Sequence, residues 1–232
     1  MFFRRAERKL ARTLRQMRDD WDRRARENAR HFVASARSEW TDAEFFASGE
    51  LALSDFILED LAFVCQGKDP KSMRVLEIGC GAARVTRALA RLFGEVHAVD
   101  VSGEMVRIAR ESLLEFPNAH VYQNNGMDLS VLPPVSFDFA FSMIVFQHIP
   151  SYAIIENYIR EVHRVLEPGA LFKFEAQGEP VQETSTWVGV TITPERAQQM
   201  ADATGFELRQ QDGIHTQTYW LWFFKRQAES QS

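Results

Sequence analysis

Cysteine is scarce: only Cys65 and Cys80 occur among 232 residues. Their contexts give neither a disulfide framework nor the paired spacing of a zinc site. No other His/Cys cluster stands out, so no metal is expected, and the chemistry fits a reducing, cytoplasmic setting. No apolar run approaches the ~18 residues of a membrane span. The opening MFFRRAERKLAR lacks the long apolar core and small-residue cleavage site of a secretory signal. Internal repeats are absent too. Proline and glycine are missing from Phe3 through Trp40, and with no breaker in the stretch the pattern predicts one long helix.

What is present is ordinary for a globular chain: 45% hydrophobic and 25% charged residues, enough to bury a full core. The net charge of −5 is unevenly spread. Residues 1–30 hold eleven Lys and Arg against five Asp and Glu, a balance of +6, and the remainder carries −11. In the opening helix Phe3, Leu10 and Met17 are spaced by seven, as are Leu14 and Trp21, with Arg4, Arg8, Arg12 and Arg15 interspersed. Such a basic amphipathic helix either meets an acidic partner, a membrane surface or nucleic acid, or packs its stripe on its own domain or a twin subunit. Five acids interrupt the basic face and no aromatics are interleaved for base stacking, so self-packing is the expectation. Helix continues from Glu39 to Gly67, with a break expected near Ser48-Gly49.

The centre of the chain is Met73 to Gly103. Val75-Leu76-Glu77-Ile78 has the length and apolarity of a buried parallel strand. Gly79-Cys80-Gly81 follows, then a helical pattern with Val85, Leu89 and Leu92 on one face, then a second apolar run, Val96 to Val99, ending in Asp100. Strand, glycine turn, helix, strand, acid is a βαβ unit with its ligand crevice at the carboxyl ends of the strands. Glycines allow a sharp turn and close approach of backbone to ligand. Asp100, nineteen residues after Gly81, stands where a carboxylate accepts from both ribose hydroxyls. A dinucleotide fingerprint would need a glycine at Arg84, which is missing. The unit reads as a site for a nucleoside-containing cofactor.

The string Glu77-Ile78-Gly79-Cys80-Gly81-Ala82-Ala83 resembles motif I of the class I S-adenosylmethionine (SAM) dependent methyltransferases, D/E-x-G-x-G-x-G, with Ala83 in place of the third glycine. The resemblance extends through five segments in the right order. Phe137 to Met143 followed by Phe146-Gln147-His148-Ile149-Pro150 is similar to the post-strand motif of the type 11 and type 12 enzymes. Leu166-Glu167-Pro168-Gly169-Ala170 is similar to their L-x-P-G-G turn, again with one Gly replaced by Ala. It implies a Rossmann-like α/β fold: a seven-stranded, mostly parallel sheet with an antiparallel last strand. Residues 1–67 become a helical extension or lid, 68–226 the cofactor domain and 227–232 a disordered tail. It also implies SAM as cofactor, held by Glu77, Gly79, Cys80, Gly81 and Arg84 beside its methionine part, and by Asp100 on the ribose. Val101, Ser102 and Met105 would flank the adenine, Asn125, Gly126 and Met127 would read its edge, and Ser142 would border the site from the fourth strand. Trp21, His31, Phe32, Trp40, Phe45 and Phe46 are the residues expected to line the lid or pack beneath it.

Methyl transfer from a sulfonium is an in-line displacement, so the protein has chiefly to align nucleophile and methyl and exclude water. A base is needed only where the acceptor starts protonated. His148 is the candidate base. Trp21, His31, Gln147, Gln177 and Trp187 are candidate acceptor contacts, with Glu175 also in reach, while His215 is expected at the surface. No N/D-P-P-Y/F/W tetrapeptide follows the fourth strand and no Pro-Cys pair occurs, which argues against amide, exocyclic base-amine and cytosine C5 acceptors. A small organic acceptor remains, acted on by a monomer or homodimer. Two other readings stay open: a non-catalytic SAM-, nucleic-acid- or membrane-binding module using the basic helix, and a nicotinamide-dependent oxidoreductase.

Overall fold

A computed structural model describes residues 2–227; the tail expected at 227–232 lies, beyond Gln227, outside them. Seven strands form one sheet: β1 (Arg74–Ile78), β2 (Glu95–Asp100), β3 (Ala119–Gln123), β4 (Phe137–Ser142), β5 (Leu166–Ala176), β6 (Phe206–Asp212) and β7 (Tyr219–Lys225). Their order is β3-β2-β1-β4-β5-β7-β6, with β7 antiparallel to both neighbours and β1 to β5 mutually parallel. This is the expected Rossmann-like sheet. The chain winds outward from β1 through β2 to β3, then returns to lay β4 on the other side of β1. That reversal opens a crevice at the carboxyl ends of β1 and β4.

Alternation along the strands divides the core between the two faces. Leu76, Ile78, Ala140, Phe172 and Phe174 face one side, under α1 (Phe2–Val33), α6 (Tyr152–Val165) and α7 (Pro194–Thr204). Val75, Phe139, Phe141 and Leu171 face the other, under α2 (Asp42–Leu53), α3 (Leu61–Cys65) and α4 (Thr86–Leu92). The aromatic run of β7 splits the same way, Trp220, Trp222 and Phe224 against Leu221 and Phe223. Beyond β2, α5 (Gly103–Ser112) covers Ala98 and Val121.

The opening helix is shorter than its sequence implies. It bends at Asn28, whose φ of −165° leaves the helical region, and stops at Val33 rather than Trp40. Asn28 Oδ1 accepts from His31 N–H (3.1 Å), capping the last turn, and its amide donates to Ser38 O (2.9 Å). The stripe of Leu10, Leu14 and Met17 packs on the core, so the helix does cover its own domain.

The break expected at Ser48-Gly49 does not occur. α2 runs through it, closed at its start by a capping box of Thr41 and Glu44, and loosens into a π-turn at Ser54–Leu58 instead. Gly49 is there for contact: a Cβ would sit 1.9 Å from the carbonyl oxygen of Arg84. That oxygen belongs to rigid backbone at the mouth of the glycine turn. Gly49→Ala is therefore expected to destabilise the chain by about 1–3 kcal/mol through overpacking, despite alanine's better helix propensity. Urea unfolding of the two proteins checks the sign.

Candidate active site

The carboxyl end of β1 runs straight into the glycine turn. Gly79 and Cys80 donate to Val99 O (2.7 and 3.1 Å), fastening the turn to β2. Gly79 has φ +75°, and a Cβ on it would meet Val145 Cγ2 at 2.2 Å. Ala83, at the motif's third glycine position, itself adopts φ +67° while fully buried. An alanine thus holds a left-handed backbone here, at a cost of ~1–2 kcal/mol. Asp100 ends β2 and accepts from Gly81 N–H on one oxygen and Ser102 N–H on the other, both at 2.9 Å. Each oxygen keeps a second lone pair. Ser102 caps α5 by accepting from Met105 N–H (3.1 Å), and donates to Asp22 of α1 (2.6 Å). Asp22 also takes Glu104 N–H (3.1 Å), so α1 lies across the crevice, and Met17 and Trp21 form part of its wall.

Together these elements line a cleft at the carboxyl ends of β1, β2 and β4. Glu77, buried at 4% exposure, is in its wall, and its Oε2 has no hydrogen-bond partner among the described residues. Burial pushes its carboxyl up to about 7, only partly offset by the nearby Thr86 hydroxyl and then by the Arg84 guanidinium. Asp100 is likewise raised to about 6, chiefly by burial, against the pull of its backbone donors. Arg84 is itself buried and donates to Ser48 O (3.1 Å). A buried carboxylate with an idle oxygen fits a cationic group, a ribose fits the open lone pairs of Asp100, and the turn around Gly79 admits no side chain. The residues present fit SAM, whose methionine carries an ammonium.

A second depression shares Val33, Ile144 and His148 with the cleft. Gln147, Gln177, Trp187 and Phe32 line it. His148 thus stands at the junction. Its Nδ1 lies 2.5 Å from Trp187 O, an acceptor only, so Nδ1 carries the proton and Nε2 the lone pair. Burial drives the imidazole down to about 4, with Arg24 adding to the effect. Behind it, Glu175 is 2% exposed and raised to about 7, mainly by burial, although it accepts from Ile144 N–H and faces Arg84. Glu175 Oε1 lies 2.7 Å from the Gln147 amide. Ionised, it accepts from the amide nitrogen; protonated, it donates to the amide oxygen and frees that nitrogen for His148 Nε2 (3.4 Å). Ile144 holds φ +58°, rare for a β-branched residue.

Of the sequence candidates, Glu77, Gly79, Cys80, Gly81, Arg84, Asp100, Val101, Met105, His148 and Trp21 meet in the first cleft, and Gln147, Gln177 and Trp187 in the second with His148. Others stand elsewhere. Ser102 caps a helix. Ser142 is fully buried and donates to Ile78 O (2.9 Å), tying β4 to β1 behind the cleft. Asn125 folds back on its own turn, accepting from Met127 and Asp128 N–H (2.8 and 2.9 Å), and neither Gly126 nor Met127 reaches the cleft wall. Asn124 takes that place, donating to the Tyr158 hydroxyl (2.8 Å). His31 bonds Arg37 O (2.8 Å) outside both cavities. Trp40 and Phe45 pack on each other, and Phe46 lies under Arg87; His215 is exposed as expected. Sequence reasoning missed Asn124, Tyr158 and Arg24. The first adjoins the Asn125-Gly126-Met127 segment to which the resemblance pointed; nothing in the pattern separates the other two from ordinary helix residues.

Residues 75–169 match the family model described as a methyltransferase domain. Over that stretch the chain is similar to a methyltransferase domain. A ubiquinone biosynthesis O-methyltransferase of Xanthomonas axonopodis pv. citri is 31% identical over 137 residues, 59% of this chain and 55% of that protein. The chain thus spans about half the length of the curated relatives it matches. Among solved structures, magnesium protoporphyrin IX methyltransferase from Synechocystis PCC 6803 with bound SAH aligns over 90% of this chain and 97% of its own, with TM-score 0.65 and 14% identity. A SAM-dependent methyltransferase from Aquifex aeolicus aligns over 81% and 100%, with TM-score 0.57 and 19% identity. At such identities the structures speak for the fold.

Glu77 gives this site a testable signature. Its folded carboxyl titrates near 7 rather than 4.5, so its part of the ligand-free stability is greatest below pH 4.5 and is lost as pH rises through 7. Glu77→Gln should flatten that loss, melting above the wild type at pH 8, while weakening SAM binding by about tenfold or more through loss of a charge-assisted hydrogen bond. Thermal melts and calorimetry read the two effects separately.

Proposed function

We propose that this protein transfers the methyl group of SAM to a hydroxyl of a planar small molecule held in the second depression. The observation that carries the reading is the buried, unpartnered Glu77 oxygen in a cleft whose glycine turn and Asp100 suit the rest of the cofactor. SAM supplies an electrophilic methyl already activated by the positive sulfur. Glu77 neutralises the ammonium, Asp100 fixes the ribose, and Asn124 with Met105 completes the adenine side. The 1–67 segment acts as a lid: α1 walls the cleft, and buried Arg24 clamps it to the loop after β5 through Thr186 O and Oγ1 (2.9 and 3.1 Å). Arg24 also lies over the rings of Trp21 and Trp187, at 4.7 and 5.2 Å. Those indoles and Phe32 offer flat surface to an aromatic acceptor.

An acceptor hydroxyl must lose its proton as the methyl arrives, and His148 Nε2 is unprotonated and placed between the two chambers. An O-methyl outcome agrees with the activity named for the relatives. A membrane or nucleic-acid anchor on α1 has less support, since Leu10, Leu14 and Met17 are spent on the core.

A screen of phenolic and other hydroxylated metabolites with methyl-labelled SAM tests the reaction; absence of labelled ether product alongside tight binding of S-adenosylhomocysteine would leave only the binding module. Binding of NADH in its place would point to the oxidoreductase. For the base, His148→Ala is expected to lower kcat by about 10²–10⁴ with SAM affinity little changed. Because this imidazole titrates near 4, no acid limb attributable to it should appear between about pH 6 and 8, unlike that of an ordinary histidine. A kcat within a few-fold of wild type would assign His148 to structure.

A further inference from the structure

The other end of the sheet carries a cluster that the methyl-transfer chemistry does not use. Glu95 and His97 lie two apart on β2 and so share a face. His97 is paired with His120 across the parallel β2–β3 ladder, which puts both imidazoles side by side on that same face. Their ring centroids are 5.0 Å apart. Glu95 Oε1 is 2.9 Å from His97 Nε2 and 3.6 Å from His120 Nε2. The second separation is too long for a hydrogen bond, yet both ring nitrogens converge on one carboxylate oxygen. All three ligand atoms lie within 4.8 Å of one another. An ion with bonds of ~2.0–2.2 Å to imidazole and carboxylate holds its ligands ~3.3 Å apart at tetrahedral angles, close to what is found.

The outer contacts are those of a metal site. The remaining oxygen of Glu95 is taken by Arg74 Nε–H (2.7 Å), leaving Oε1 to face the imidazoles. His97 Nδ1 faces the Tyr122 hydroxyl at 3.2 Å, and the Tyr122 ring stacks on the imidazole (5.7 Å, 5°) while Phe137 closes the other side. Without an ion, Nε2–H donates to Glu95 Oε1; with Nδ1–H donating to Tyr122 instead, Nε2 would offer its lone pair to an ion seated between them. His97 is 3% exposed, whereas Glu95 and His120 are about one-third and two-fifths exposed. One anchored imidazole and two half-exposed ligands leave a fourth position open to water.

We propose that Glu95, His97 and His120 form a binding site for one divalent ion of the zinc class. Two imidazoles and one carboxylate suit zinc, cobalt, nickel or copper, while magnesium and calcium demand oxygen ligands throughout. The site lies at the amino ends of its strands. Asp100 is three residues further along β2, ~10 Å away at ~3.3 Å per residue, so the ion takes no part at the methyl group. Its effect is mechanical: it joins the edge strand β3 to β2.

Full-length protein stripped with a chelator and titrated with cobalt(II) and zinc(II) tests the proposal. One equivalent of zinc should bind with micromolar or tighter affinity, raise the thermal midpoint, and displace cobalt from a species with the intense visible bands of a four-coordinate N,O site. Magnesium should do neither. His120→Ala, at a half-exposed position, should weaken zinc at least tenfold, and His215→Ala in the distant terminal hairpin should leave it unchanged. No saturable single equivalent in the wild type, or an unaltered affinity in His120→Ala, would overturn the assignment. The cobalt spectrum of the wild type decides the matter even should the variant fail to fold.

Discussion

The site depends on one carboxylate holding two pieces of backbone. Asp100 binds the N–H of Gly81 on one side and of Ser102 on the other, so the glycine turn after β1 and the first turn of α5 keep a fixed separation. Each of these pieces then fixes others. The turn can lie there because Gly79 and Gly49 accept neighbours, Val145 and Arg84, that a Cβ would exclude. The α5 start draws in α1 through Asp22. Removing that single junction would free both walls of the cleft at once, so Asp100 is a structural acid whatever it binds.

The cleft concentrates charge that folding alone would not favour. Glu77, Asp100 and Glu175 are all raised toward neutrality, in each case chiefly by burial, and Arg84 is the nearby cation for two of them. A structure optimised only for stability would have neutral side chains at such positions. The idle oxygen of Glu77 and the left-handed Ile144 whose N–H serves Glu175 belong to the same pattern, with strain gathered where a ligand is to be received.

The sheet was readable because buried parallel strands are short apolar runs bounded by turns, and β1, β2 and β4 each lie within a residue of the runs that marked them. Helix limits were less so. Gly49 looks like a breaker in one dimension and is a packing contact in three, and Asn28 bends α1 through a side-chain cap that composition does not announce. In the site, the resemblance pointed to Asn125, whose side chain accepts from its own turn, while the neighbouring Asn124 lines the cleft, a difference set by backbone direction. The Glu95, His97 and His120 cluster was invisible because its members are brought together by strand register across 23 residues, with no spacing motif to mark them.

Helix α1 is a wall of the cofactor cleft, and Arg24 on it is bonded to the loop that walls the second depression. The two chambers therefore have one shared partition with a bolt through it. Any shift of α1 that widens one chamber must also reshape the other. The bend at Asn28 lies just beyond this bolt, so the part of α1 that forms the partition is set off from the turn that ends at Val33.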